Sequence, residues 1–511
     1  MSSDSRSVTG VVLSPTETLT EEQAPHYSQI QRYVLLLVFC LAQFLDAFNT
    51  AAIFSAVPSI STDLGMMPNE ATWVVSATQL TFASFLLIVR KRKNQHNPKY
   101  AFIAGASLLG IFSIGTGFAQ DKIALIVLRA LSGLAAALTI PSALALLVQI
   151  FPESKEQANA ISVFGGCGAI GNALGLVVGA IFVQYASWPW VFWFVAMVAI
   201  PIALLCVFVV PQPKQNVQEP GVRRWKTLDI LGVSILTSAL ILFIFAAISG
   251  SSSGWASARS LAPLIISVFI VAGFFLYETT IPSENAAVPP RIWFLPNFAV
   301  LFGMALLPYF WWTTVFTLYT TLWQDFYEWS AITVALRMIP CGVLATAVSF
   351  SGPLLNRFSP KYMLVASLAL MIAATALLAT ADAPNKYFSH ALPALIIGTS
   401  GCMLTFMTTN IALFRTTPPA MAGVVGAIFN CALQLGSAMG LAAVSSIETS
   451  LDSGRGKPDA YTGRAAAFWF LLAVVGVEVI SLLVFYRVEA EHREDVFDEE
   501  QLDRKIDAVQ E

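Results

Sequence analysis

Fourteen apolar runs, each of roughly 20 residues or more, follow one another through this 511-residue chain. Their approximate spans are 33–57, 71–89, 100–119, 123–149, 160–185, 190–210, 228–248, 261–281, 298–322, 331–351, 362–380, 391–413, 421–446 and 465–486. Crossing about 30 Å of hydrocarbon takes about 20 residues of helix. Lipid offers no water to backbone amides, so such spans must be helices or strands of a closed barrel, and these runs are far too long for barrel strands. The expected fold class is an all-α polytopic membrane protein with fourteen transmembrane helices. Composition removes the soluble alternative: 56% of residues are hydrophobic and 12% charged, where soluble domains carry about 25% charge. A nucleic-acid binder, a disulfide-stapled secreted scaffold and a disordered chain are excluded on the same ground.

The charge that exists is concentrated. Residues 1–32 and 487–511 read as solvated tails, the second with 4 basic and 10 acidic side chains. No apolar run precedes Tyr33, so no cleaved signal is expected and the first span would serve as an uncleaved anchor. With the N terminus inside, the inner loops hold 14 Lys and Arg and the outer loops 5, which favours both termini in the cytosol. The outer loops carry no N-glycosylation sequon, and all six cysteines lie in apolar spans as small packing residues. The four histidines lie in tails or beside loops. There is no HExxH, CxxC, nucleophile elbow or phosphate loop, so neither an enzyme nor an ATP-driven pump is expected, and no cofactor or metal is called for.

The chain also repeats itself. Residues 171–176 read GNALGL and 436–441 read GSAMGL, an offset of 265. PKY at 98–100 returns at 360–362, an offset of 262. Each pair sits in the same context, so helices 1–6 are expected to be duplicated as helices 9–14, with helices 7 and 8 inserted. The expected organisation is a tail (1–32), a six-helix bundle (33–210), a linker with two helices (211–297), a second six-helix bundle (298–486) and an acidic tail (487–511). Parallel halves of this kind are the plan of major facilitator transporters, whose substrate cavity lies between the halves.

LDAFNTAAIFSAVPSI in helix 1, ALIVLRALSGLAAALTIPSA in helix 4 and GCGAIGNALGLVVGAIF in helix 5 resemble the 14-helix drug:proton antiporter branch of the major facilitator superfamily. Within it the chain is similar to the fungal group of aminotriazole-resistance/boron-efflux proteins and low-affinity ammonium transporters. The resemblance implies a secondary transporter of the plasma membrane, working as a monomer on a small-molecule substrate and protons by alternating access. Export of a small organic molecule or toxicant is the first reading. Uptake or facilitated passage of a small solute such as ammonium or boric acid is a second, and a non-transporting membrane sensor a third.

Asp46 lies thirteen residues after Tyr33 and eleven before Val57, mid-span. A carboxylate at that depth costs about 2.5–3.5 kcal/mol on insertion scales, so it faces a cavity or a partner. It reads either as a proton site or as a hydrogen-bond acceptor between helices, and the resemblance matches it to the helix-1 Asp of the antiporters. Arg129 lies about 10 Å below the outer end of helix 4 and cannot shed its proton. The resemblance gives it a part in proton transfer, and coupling of Asp46 to Arg129 is the expectation, with a static ion pair as the alternative. Gly171, Gly175 and Gly179 form a small-residue stripe for helix packing. Where the family has a Gly-Pro motif here, this chain has no Pro between Gly171 and Gly179. The family's acidic latch residue is likewise missing from the loop at 90–97.

Candidates for the substrate cavity are Asn49, Gln79, Trp311, Trp312, Arg337, Asn410, Asn430 and Gln434. An offset of 265 sets Trp311 at the repeat position of Asp46, as if the second half exchanged a carboxylate for an aromatic wall. Packing between helices is an equal alternative for the aromatic and amide side chains.

Overall fold

A computed structural model describes residues 28–91, 98–151, 154–210, 230–281, 290–349, 358–417, 422–452 and 461–487. The reading of the loop at 90–97 and those of both tails fall mainly outside the described residues. Fourteen long helices run through the described residues. The first eight are α1 (Gln29–Asp63), α2 (Pro68–Lys91), α3 (Pro98–Gly117), α4 (Lys122–Ile150), α5 (Ser154–Tyr185), α6 (Pro189–Val209), α7 (Ile230–Ser253) and α8 (Ala258–Thr280). The last six are α9 (Phe298–Thr321), α10 (Ala331–Ser349), α11 (Pro360–Ala379), α12 (Leu392–Arg415), α13 (Ala422–Asp452) and α14 (Thr462–Phe485). Among the described residues, twelve helices are long and apolar enough to cross a membrane, and α7 contributes a shorter apolar stretch, Ser234–Ala246. Helix ends run past the expected spans where polar caps hold them. α1 starts at Gln29 because Ser28 and Gln31 form a reciprocal capping box, each accepting from the other's backbone N–H.

The two six-helix bundles pack alike. In the first, α1 lies on α5, α3 on α4 and α6, and α2 on α4; in the second, α9 lies on α13, α11 on α12 and α14, and α10 on α12. Glycines set the closest approaches. A Cβ on Gly175 would stand 2.8 Å from the Phe48 carbonyl of α1, and one on Gly171 would strike the Phe44 carbonyl. In the second bundle a Cβ on Gly436 would strike the Leu306 carbonyl of α9, and one on Gly440 would stand 3.1 Å from that of Phe310. Phe44 and Phe48 thus correspond to Leu306 and Phe310, an offset of 262 for the first helices, while the glycines keep 265. This corrects the sequence register: Pro308 stands where Asp46 stands, and Trp311 answers to Asn49. The three-residue difference is absorbed between α9 and α13, where loops tolerate length changes that packed helices do not.

The second repeated motif also has a structural meaning. Call the face from which α1 departs and to which α14 returns the near face, and the opposite one the far face. At the near face the buried Lys99 ammonium of α3 donates to the carbonyls of Val207 (3.1 Å) and Val210 at the end of α6. Its counterpart Lys361 donates to Tyr486 O (3.2 Å) at the end of α14. Val210 and Tyr486 are the C-caps of their helices, where unsatisfied carbonyls and the helix dipole both favour a cation. Lys99→Met is expected to lower stability by about 2 kcal/mol, from lost charged hydrogen bonds. Thermal unfolding of the detergent-solubilised protein, with Lys361→Met as the symmetric case, measures it.

The polar ties described below at the two faces each lie within one bundle. On the far face Trp188 donates to Asp63 (2.8 Å), Lys122 pairs with Glu70 (2.7 Å) and Arg464 pairs with Glu448 (2.8 Å). On the near face Arg32 meets Glu156 at 3.6 Å, and Asn297 exchanges two hydrogen bonds with Arg487. The Lys122 ammonium holds the Glu70 carboxyl below the usual glutamate range. A lowered value contributes stability above the ordinary carboxylate pKa and loses it as pH falls through the lowered one. Glu70→Gln is therefore expected to flatten the acid limb of the unfolding profile between those values. The effect is small, because a half-exposed pair is worth about 0–1 kcal/mol.

The bundles meet along two seams. α5 faces α10, with Ala173 against Gly342, and with Val177, Ala180 and Val183 against Ala331, Ile332 and Ala335. α2 faces α13, and α7 packs on both, Ile244 sharing an apolar cluster with Leu80, Ala438 and Ala442.

Candidate functional site

Asp46 lies mid-way along α1, half-buried. Its backbone carbonyl accepts from Thr50 (3.0 Å), while no described hydrogen bond or ion pair engages its carboxylate. Both Arg129 and Tyr309 are close enough to feel its charge. The carboxylate therefore lies in the neighbourhood of a cation of the first bundle and of a phenol of the second.

Arg129 is 2% exposed and spans three helices. Its Nε donates to Val74 O of α2 (2.9 Å), its NH1 donates to Asn49 Oδ1 of α1 (3.0 Å), and its guanidinium lies 5.7 Å from the Phe192 ring of α6. The direct ion pair with Asp46 is not formed, because neutral acceptors at the same depth already use the guanidinium fork. The α4 backbone around Arg129 also grips α2. Thr78 Oγ1 donates to Arg129 O (3.0 Å) and Thr81 Oγ1 to Ala130 O (2.7 Å), while the bare Cα of Gly133 admits the Thr78 carbonyl. Since Arg129 keeps its proton, net charge here changes only with Asp46.

In the second bundle Trp311 occupies the place of Asn49. Its ring is fully buried against Gly398 of α12, and its Nε1 donates to Thr375 Oγ1 (3.0 Å). That places Trp311 in the packed core, with Phe310 and Tyr319, rather than on a cavity wall. Trp312 does face the seam. It stacks on Phe316 (4.6 Å, 17°), and both line a narrow cleft with Asn172 and Leu176 of α5 and Met338, Ile339 and Gly342 of α10. Tyr309 lies parallel to Phe406 (6.5 Å, 6°).

The remaining candidates divide. Gln79 is buried on the second seam, where Ser437 Oγ donates to its Oε1 (2.5 Å), and one turn away Cys431 donates to Ala83 O (2.7 Å). Gln434 lies on the same face of α13, its Oε1 buried without a hydrogen-bond partner. Asn410 is half-buried with no described hydrogen bond, whereas Asn430 is exposed and donates to Gly426 O of its own helix (2.8 Å). Arg337 finds an aromatic cage rather than a carboxylate: its guanidinium lies 3.4 Å from the Trp329 ring and 4.7 Å from that of Tyr387. Tyr387 also donates to Arg337 O (2.9 Å). Gly171, Gly175 and Gly179 all seat α5 on α1. Sequence reasoning missed Val74 and Phe192 as partners of Arg129. Asn172, which lines the cleft, is signalled in the sequence only by its type, an amide inside an apolar run.

Comparison with known proteins agrees with this architecture. The chain is 28% identical over 470 residues to the major facilitator superfamily multidrug transporter mfsC of Aspergillus fumigatus, covering 88% of this chain and 86% of that one. It is 29% identical over 426 residues to the puromycin resistance protein pur8 of Streptomyces alboniger, covering 82% of each. The efflux pump terJ of Aspergillus terreus is 26% identical over 477 residues, covering 90% and 89%. In fold, a D-xylose–proton symporter superposes with a TM-score of 0.60 at 14% identity, covering 91% of this chain and 99% of that one. An inward-facing, occupied bacterial homologue of the lysosomal transporter Spinster gives 0.63 at 13%, covering 90% and 97%. The chain is a multi-pass membrane transporter and not an enzyme. The family model for the Major Facilitator Superfamily matches residues 39–441, and the chain belongs to that family.

Proposed function

We propose that this transporter exports a small organic molecule or toxicant across the plasma membrane in exchange for protons, with Asp46 as the proton site. One observation carries the reading: a mid-membrane carboxylate at the junction of the bundles that no described bond fixes, beside a cation fixed by neutral groups. Protonating Asp46 removes the negative charge beside Arg129, whose guanidinium stays on its neutral partners Val74 O and Asn49 Oδ1. The balance between the two openings of the cavity then depends on proton supply. The near face is cytosolic in this reading, the bundles span 33–210 and 298–486, and a single chain is the working unit. Export is favoured over uptake by the relatives, whose names speak of multidrug transport, puromycin resistance and efflux.

Growth and accumulation assays test it, in deletion and overexpression strains against a panel of toxicants and nitrogen sources. Overexpression is expected to lower cell content of at least one toxicant, and an uncoupler to restore it. Raised content on overexpression, or indifference to the uncoupler, overturns the reading.

A further inference from the structure

The seam between α2 and α13 holds two amides that do not meet. Gln79 accepts from Ser437, and no described bond uses its Nε2. Three residues earlier on the same face of α13, the Oε1 of Gln434 is buried without a hydrogen-bond partner. Around them the seam is largely apolar, with Leu80 against Ala438 and Ala442. The helices run antiparallel, with Gln79 opposite Ser437 and Ala83 opposite Cys431. Gln434 therefore lies between these levels, on the near-face side of Gln79. A displacement of α2 along α13 by three residues, about 4.5 Å, would bring Gln79 level with Gln434.

We propose that Gln79 is a positioning residue of the transport cycle, whose amide exchanges Ser437 for Gln434 as α2 steps along α13 by three residues, a little under one turn. In the present state Gln79 Oε1 accepts from Ser437, and in the alternate state Gln79 Nε2 donates to Gln434 Oε1. Each register satisfies the buried amide once, and the positions between align it with neither partner. Such a pair makes the seam bistable, as in one-turn ratchets between packed helices. The drive reaches α2 through α4, because Arg129 and the Thr78 and Thr81 hydroxyls bolt the two helices together. The inference rests on the rocking of the two bundles and not on the identity of the solute or the coupling ion.

The test reads state occupancy on the other seam. Val183 and Ile332 pack on one apolar cluster toward the far face, where α5 and α10 are closed in this structure. Val183→Cys with Ile332→Cys, in the full-length protein in nanodiscs with a bifunctional thiol reagent, reports that closure; each single cysteine gives the background. Gln434→Leu, which removes the waiting acceptor, is expected to raise the cross-linking rate. Ser437→Ala is expected to lower it, each by on the order of fivefold as for one net hydrogen bond. Ser437→Thr, which keeps the hydroxyl, is expected to match the parent. Equal or same-direction effects of the two deletions, or no effect of Gln434→Leu, overturn the proposal, and Gln434→Met replaces that variant should it fail to fold. No gradient or solute is needed, so a failure here is separate from a failure of the export reading.

Discussion

Asp46→Asn is expected to abolish gradient-driven transport while sparing solute exchange. Asparagine matches the shape of a protonated aspartate but has no proton to give up. It leaves the fold intact, because no described hydrogen bond or ion pair depends on the carboxylate. Arg129 keeps Val74 O and Asn49 Oδ1 as partners. A positioned proton-transfer group is worth about 10²–10⁴-fold in rate, so proton-driven flux is expected to fall by about a hundredfold or more. Exchange of labelled for unlabelled solute at equal pH, which needs rocking but no net proton movement, is expected to persist. Transport assays on reconstituted Asp46→Asn and parent protein, side by side, separate the two. Loss of both activities would make Asp46 a structural or substrate-binding residue.

The second large effect is on folding. Gly171→Leu and Gly436→Leu place a side chain where a backbone carbonyl of the neighbouring helix already stands, Phe44 in one bundle and Leu306 in the other. A clash with a flexible side chain can relax by a rotamer change, but here the obstacle is the main chain. Overpacking costs about 1–3 kcal/mol when side chains can shift, and these sites are expected to exceed that range. Gly165→Leu and Gly476→Leu are the controls, since a Cβ at either meets nothing within 4 Å. Leucine is the better helix former by about 0.8 kcal/mol, so propensity alone predicts gain at all four positions. Fluorescence-detected size exclusion with thermal challenge is expected to show loss of monodisperse protein for Gly171→Leu and Gly436→Leu, and parent-like behaviour for the controls.

Much of the fold was legible in the sequence, because hydrocarbon thickness imposes helix length directly. The repeat was legible too: Gly171 and Gly436 are glycines because backbones touch there, and Lys99 and Lys361 are lysines because helix ends need a cation. The register between α1 and α9 was misread, because two motifs gave two offsets and only packing decides which applies to a given helix. That is why Trp311 was placed opposite Asp46 and turned out to be core. The site was legible in its charges and not in its partners. Attraction between Asp46 and Arg129 is a reasonable expectation from charge, yet Asn49 and a main-chain carbonyl, which no residue type reveals, hold the guanidinium. The contact of Gln79 with Ser437 joins residues 358 apart and depends on how α2 crosses α13, a quantity local patterns do not encode.

The most direct test of proton-coupled export is simultaneous recording of solute and proton flux in proteoliposomes that enclose a pH-sensitive dye. The solute used is whichever toxicant the strain panel identifies. Outward solute movement is expected to drive proton movement in the opposite direction in the parent and not in Asp46→Asn. Solute flux with no accompanying proton movement, or with protons moving alongside the solute, would contradict it.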